Sequence, residues 1–278
     1  MKYWIRPSLL FILLIAVFTW ARSYFIGLFF YPDNIVVGSP KYYRMPYEEI
    51  SFLAKNGNRL FGFFFKPKNQ AIGTVVHCHG NAGNVTEHFP QALFLCQAGY
   101  NVLSFDYEGF GKSQGRPSPE SVVQDALSAL DYARSRPDVD KDRIVLFGQS
   151  LGAAAAAEAM AIDKSVRCLI LEGAFTTYRD MAWATRRGKL LFFITPFLIP
   201  DRGPVKDLPK IAPRPVLILH GDADGKVPVK FAYRLYEKAR EIKSLVIIKG
   251  FHHLQGSEGE PEYERRILEF LKINLLEH

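Results

Sequence analysis

Three short stretches carry side chains that together could perform acyl transfer. Gly148-Gln149-Ser150-Leu151-Gly152 follows the apolar run 143–147 and opens the alanine-rich segment 151–161. A serine at a sharp strand-to-helix turn needs small residues two positions to either side, because the neighbouring backbones crowd together when its hydroxyl is pushed outward. The helix that follows points its N-terminus at the same hydroxyl, where partial positive charge favours a developing oxyanion. Ser150 is therefore the candidate nucleophile. Such a hydroxyl needs a base, and the base needs an acid to hold its tautomer, so two further loops must supply His and Asp or Glu. The run 215–219 ends in His220-Gly221-Asp222-Ala223-Asp224, and the run 245–248 ends in Lys249-Gly250-Phe251-His252-His253. Asp222 and Asp224 compete for the acid, and His252 and His253 for the base.

The oxyanion hole calls for the backbone N–H after the nucleophile, that of Leu151, and one from an earlier strand-end loop. His79-Gly80-Asn81-Ala82-Gly83-Asn84 follows the run 73–78, and Asn81 is the natural second donor. His79 reads as a structural residue, since a second base there has no task. Asp106-Tyr107-Glu108-Gly109-Phe110-Gly111 superficially resembles a dinucleotide fingerprint but lacks the third glycine at the required spacing. It reads as a tight loop bordering the site.

The elements that must position these loops form a repeating pattern. Residues 49–54 and 59–66 are β-prone and flank Asn56-Gly57-Asn58, a hairpin signal. Residues 73–78, 100–105, 143–147, 167–171, 215–219 and 245–248 are short apolar runs of the kind buried on both faces of a parallel sheet. Helical stretches alternate with them at 87–98, 119–135, 151–161, 229–242 and 260–274. Right-handed crossovers of this kind give an α/β fold with a mostly parallel, doubly wound sheet, an antiparallel N-terminal edge, and ligands at the carboxyl ends of the strands. About forty residues separate 171 from 215, far more than a usual connection, so residues 175–213 are expected to form a short helical lid insertion. Its Trp183, Phe192, Phe193 and Phe197 fit either an acyl-binding cover or plain packing of cap on core.

The N-terminus adds a second theme. Lys2 and Arg6 precede an apolar run from 8 to 21, and Arg22 separates it from a second run, 24–31. Residues 1–31 are read as an uncleaved signal anchor, with residues 32–278 as the hydrolytic domain. Lys2 and Arg6 held in the cytoplasm put that domain on the extracytoplasmic side. The alternative is secretion after cleavage, for which Thr19 and Ala21 supply the small residues.

Of the 278 residues, 48% are hydrophobic and 23% charged, which excludes a disordered chain and a multispanning membrane protein. The net charge of +7 is scattered, with no aromatic-and-basic pattern, so no nucleic-acid partner is expected. Cys78, Cys96 and Cys168 match neither a disulfide framework nor a zinc site.

The order Ser, Asp, His, each just past an apolar run, is that of the α/β-hydrolases. More closely, the chain resembles the bud-emergence-suppressor-like membrane-anchored serine hydrolases, in the prolyl-oligopeptidase and dienelactone-hydrolase branch of that superfamily. Their pattern HGNAGN, DYxGxGxSxG, GxSxG and HGxxDxxVP is met at residues 79–84, 106–115, 148–152 and 220–228, within a resemblance covering about 45–275. The resemblance selects Asp224 over Asp222 and His253 over His252. It implies a serine hydrolase of carboxylic esters or thioesters, acyl lipids or acylated proteins included, with no cofactor or metal. A prolyl-oligopeptidase-type serine peptidase is the alternative, and a non-catalytic binding scaffold a more distant one.

Overall fold

The computed structural model describes residues 7–185, 189–254 and 260–276. Lys2 and Arg6, on which the expected orientation across a membrane rests, lie outside the described residues. The chain enters through helix α1 (Pro7–Gly27), which continues unbroken past Arg22, and then makes a two-residue strand β1 (Tyr31–Pro32). This strand pairs in parallel with β5 (Ala82–Gly83), in the loop of the expected oxyanion donor. Residues 10–27 of α1 have a mean hydropathy of 1.8 and none is buried, so the helix is long and apolar enough to be a membrane anchor or a signal sequence.

Strands β2 (Tyr47–Leu53) and β3 (Arg59–Phe65) form the expected hairpin, with Leu53 opposite Arg59. Gly57 takes φ +89° at its tip, a conformation that strains any side-chain-bearing residue. The six apolar runs become β4 (Thr74–Cys78), β6 (Asn101–Phe105), β7 (Ile144–Gln149), β8 (Cys168–Glu172), β9 (Val216–Gly221) and β10 (Lys243–Ile248). Together with the hairpin they make one eight-stranded sheet in the order β2-β3-β6-β4-β7-β8-β9-β10, in which only β3 runs against its neighbours. Every residue of β4, β6, β7 and β8 is buried, because helices cover both faces.

On one face pack α4 (Ser121–Ser135), α5 (Leu151–Ile162), α8 (Pro204–Ile211) and α9 (Lys230–Lys238), with α5 central and lined by alanines that let it approach the strands closely. On the other lie α2 (Val85–His88), α3 (Leu93–Gln97) and α10 (Pro261–Leu276). Two expected helices are shorter than their apolar pattern. The stretch 87–98 breaks into α2, a 3-10 turn over Phe89–Ala92, and α3, because Pro90 supplies no N–H to the helical ladder. The stretch 229–242 stops at Lys238, where Lys243 Nζ donates to the carbonyls of Tyr236 and Ala239 at 3.0 and 2.9 Å and the chain turns into β10.

Between β8 and β9 the chain forms α6 (Tyr178–Ala184), α7 (Thr195–Leu198) and α8. Helix α7 packs on α1, and the ring of Phe29 meets Tyr178 edge-on at 5.2 Å. Arg202 ties this segment to the body by a bidentate pair with Glu158 of α5, both bonds at 2.6 Å.

Candidate active site

Ser150 sits between the end of β7 and the first turn of α5 at φ +52°, ψ −109°. A serine held there stores about 1–3 kcal/mol of backbone strain, which the surrounding structure must over-determine. Its N–H donates to the carbonyl of Glu172 at 2.9 Å, and its own carbonyl accepts from Ala153 N–H at 3.1 Å. The flanking glycines are steric requirements. A Cβ on Gly148 would stand 2.5 Å from the Gly152 carbonyl oxygen, and one on Gly152 would stand 1.9 Å from that of Cys78.

The expected site residues lie in loops at the carboxyl ends of β4, β7, β9 and β10. Past β9, Asp224 accepts at one carboxylate oxygen from Lys226 N–H and Val227 N–H, both 2.8 Å, and at the other from His253 Nδ1 at 2.7 Å. The Asp224 side chain is 1% exposed. Burial pushes this carboxyl up, but hydrogen bonds from His220, His253 and the Val227 N–H outweigh it and hold the group well below the usual carboxylate range. His220 Nε2 lies 3.4 Å from the carboxylate and 2.8 Å from the Val227 carbonyl, so it braces the loop as much as the acid.

The competing residues do other work. Asp222 accepts from Gly250 N–H at 2.6 Å, and His252 Nδ1 lies 3.0 Å from the Ala223 carbonyl with its side chain at the surface. Geometry thus pairs Asp224 with His253. The His253 ring lies over Gly173, the residue after the Glu172 carbonyl that holds Ser150, where a Cβ would come within 3.2 Å of it.

Asn81 and Leu151 border the same cavity as Ser150. The Asn81 carbonyl accepts from Tyr31 N–H at 2.8 Å, and its side-chain amide donates to the Phe29 carbonyl at 3.2 Å, so the loop is fastened to the end of the N-terminal segment. His79 is fully buried, with Nδ1 2.8 Å from the Gly80 carbonyl and its ring stacked on His88, as a structural residue should be. In the 106–115 loop, Asp106 accepts from Val85 N–H at 2.6 Å, and Glu108 N–H donates to Asp125 at 2.8 Å. Burial pushes the Asp125 carboxyl up to about 8.

One feature escaped the motif reading. Tyr263 Oη donates to Glu172, Glu172 accepts from the Gln149 amide, and Gln149 Oε1 meets His77 Nε2, each at 2.7 Å. His77 Nδ1 lies 3.0 Å from Ser104 Oγ. This buried polar chain crosses β8, β7, β4 and β6 directly beneath the nucleophile. Burial raises the Glu172 carboxyl and drives His77 down to about 3. The available signal was a polar residue at or next to the carboxyl end of each of four apolar strands.

Above Ser150 lies a cavity of about 690 Å³, mostly apolar, between the end of α1 and the segment following β8. Tyr24, Phe25, Leu28 and Phe29 form one wall, and Met181, Leu191 and Ile199 form another. No carboxylate or cationic side chain lines it among the described residues. Likewise, among the described residues no group of three or more His, Cys, Asp or Glu is disposed to hold a metal ion.

An elbow serine, a His–Asp pair and an eight-stranded sheet with one reversed strand define an α/β-hydrolase. The chain belongs to the Hydrolase_4 family, described as serine aminopeptidase S33, whose model matches residues 69–214, and it is a bud-emergence-suppressor-like member of the α/β-hydrolases. It is 36% identical to the YfhR protein of Salmonella typhi over 90% of this chain and 88% of that one. It is 32% identical to the α/β-hydrolase domain-containing protein WAV2 of Arabidopsis thaliana, over 84% and 81%. To protein bem46 of Schizosaccharomyces pombe it is 32% identical, over 69% and 65%. Among solved structures, an esterase of Pyrococcus furiosus superposes with a TM-score of 0.73 at 23% identity, covering 89% of this chain and 98% of that one. A puromycin-hydrolysing peptidase of Mycobacterium tuberculosis superposes at 0.68 and 18% identity, covering 84% and 40%.

Proposed function

We propose that this hydrolase cleaves carboxylic esters or thioesters through an acyl-enzyme formed on Ser150. The observation that carries the reading is the 2.7 Å bond from His253 Nδ1 to the buried Asp224, in a chain whose elbow serine borders an apolar cavity. Ser150 Oγ attacks the carbonyl carbon while His253 takes its proton, and Asp224 keeps Nε2 of the imidazole free to accept it. The tetrahedral oxyanion is held by the N–H groups of Leu151 and Asn81. As the intermediate collapses, the bond to the leaving oxygen or sulfur breaks and His253 returns the proton to it. Water then repeats the sequence and releases the acid.

The family description and one structural relative favour a peptidase as the second reading. An aminopeptidase must bind an α-ammonium group, and no carboxylate lines the cavity among the described residues, which supports the ester reading. With α1 as an anchor, and Lys2 and Arg6 at its cytoplasmic end, the domain lies on the extracytoplasmic side, where protease added to intact cells should digest it.

The test is hydrolysis of p-nitrophenyl butyrate and of aminoacyl naphthylamides by the full chain in detergent, beside Ser150→Ala. Ester turnover that falls by about 10⁴ or more in the variant is the expected result. Turnover of the amides alone would replace the ester reading with the peptidase one. No turnover of either, with no labelling of Ser150 by a fluorophosphonate, would leave a binding scaffold.

A further inference from the structure

We infer that the cavity above Ser150 takes a fatty acyl chain from a membrane lipid, and that the N-terminal helix is one wall of this acyl site as well as an anchor. The inference rests on the hydrolase reading of Ser150. Three observations carry it.

The first is position. Phe25 of α1 and Leu28 at its exit face the cavity opposite Met181, Leu191 and Ile199, with Ser150 at the floor. A cavity of about 690 Å³ lies within the range of roughly 300–1,000 Å³ found for small-molecule sites.

The second is attachment. The wall cannot drift from the serine, because β1 pairs with β5 and the Asn81 side chain and carbonyl are both bonded to the segment that follows α1. Phe29 is further held edge-on against Tyr178.

The third is continuity. Towards its N-terminus α1 exposes Phe11, Ile12 and Trp20 at 61–70%, and the segment after β8 exposes Leu190, Phe193 and Phe197 at 69–87%. Apolar patches of this kind mark membrane or partner surfaces. An acyl chain can therefore pass from the bilayer to the serine along one apolar path between α1 and that segment. Its carbonyl stops beside Leu151 and Asn81.

The experiment compares butyryl and lauroyl p-nitrophenyl esters, and ethyl and dodecyl fluorophosphonates, on the full chain, Leu28→Trp, Leu28→Ala and Leu191→Trp. Each buried methylene strengthens binding about fourfold, so burial of only half of the extra methylenes of lauroyl already puts the lauroyl-to-butyryl ratio of kcat/KM in the wild type above about 100. Leu28→Trp and Leu191→Trp should lower that ratio at least tenfold, and Leu28→Ala should shift the optimum to longer chains. Circular dichroism melts show whether each variant is folded. If it is, a ratio unmoved by all three substitutions overturns the inference while leaving the hydrolase reading intact. If no ester is cleaved but dodecyl phosphonate still labels Ser150 faster, and Leu28→Trp abolishes the preference, the ester reaction fails and the acyl site stands. Reconstituted in phosphatidylcholine vesicles, the full chain should release fatty acid from the vesicle lipid. Cleavage of the soluble lauroyl ester alone would overturn the bilayer as the source.

Discussion

Replacing Gly152 by alanine tests the central geometry with a single methyl group. The added Cβ would lie 1.9 Å from the Cys78 carbonyl oxygen, 2.4 Å from its carbon and 2.6 Å from the His79 carbonyl oxygen. All three atoms are backbone, so no side-chain rotation relieves the clash. To reach ordinary contact near 3.4 Å, the start of α5 must retreat from β4 by about 1.5 Å. Overpacking of this kind costs about 1–3 kcal/mol, and a chain of this size loses roughly 2–4 °C of Tm per kcal/mol. A fall of about 2–12 °C is expected. The same retreat carries Ser150 and Leu151 N–H away from Asn81, and a misplacement of about 1 Å is worth about a hundredfold in rate. Fluorophosphonate labelling of Ser150 should therefore slow at least a hundredfold at a temperature where the variant is folded. Gly225, where an added Cβ would meet no atom within 4 Å, gives the control Gly225→Ala, for which Tm should stay near that of the parent. A Gly152→Ala protein that melts and labels like the parent would refute the idea that this glycine exists for the contact between α5 and β4.

Asp224→Asn should lower ester turnover by about 10⁴, read by steady-state kinetics. Because the Asp224 carboxyl is depressed in the folded protein, its stabilising effect is complete above the unfolded pKa of about 4 and is lost as pH falls through the folded value. Melts of parent and variant should accordingly converge in acid. Asp125 has the opposite sign: with its carboxyl raised to about 8, its contribution is greatest below the unfolded pKa and declines as pH rises through the folded one. Asp125→Asn should remove a slope of up to about 1.4 kcal/mol per pH unit from denaturation curves between about pH 5 and 8. Cys78, Cys96 and Cys168 are buried with their thiols pushed up to about 12, so a disulfide reagent should titrate none of them until the chain is unfolded. Deleting residues 1–31 removes a wall of the cavity, and turnover of lauroyl ester should fall more than turnover of butyryl ester.

The sheet was legible because six apolar runs and one glycine hairpin are local patterns, and each reappears as a strand within two residues at either end. Ser150 was legible for the same reason, since the crowding that demands Gly148 and Gly152 is written within five residues. The choice between Asp222 and Asp224, or His252 and His253, was open to spacing alone, because adjacent loop residues differ only in where the folded loop aims them. Gly250 and the Ala223 carbonyl now show what occupies the two alternatives. The buried chain from Tyr263 to Ser104 was hidden for a different reason: its members are separated by up to 91 residues per bond and meet only through strand register and the packing of α10 on the sheet. The approach of α1 to the serine was equally hidden, because an apolar helix pattern specifies burial in something without saying what.

The parallel register of Tyr31 on Ala82 and Pro32 on Gly83, so soon after α1 ends at Gly27, constrains how this gene can change length. One residue inserted between Gly27 and Tyr31 by extending the helix would turn α1 by about 100° relative to the sheet and swing Phe25 and Leu28 away from the cavity. Insertions and deletions should therefore be purged from that short junction, yet accumulate freely before Leu10, where extra residues change nothing but reach. Chimaeras that exchange leader segments should keep activity only when the crossover falls upstream of Tyr24.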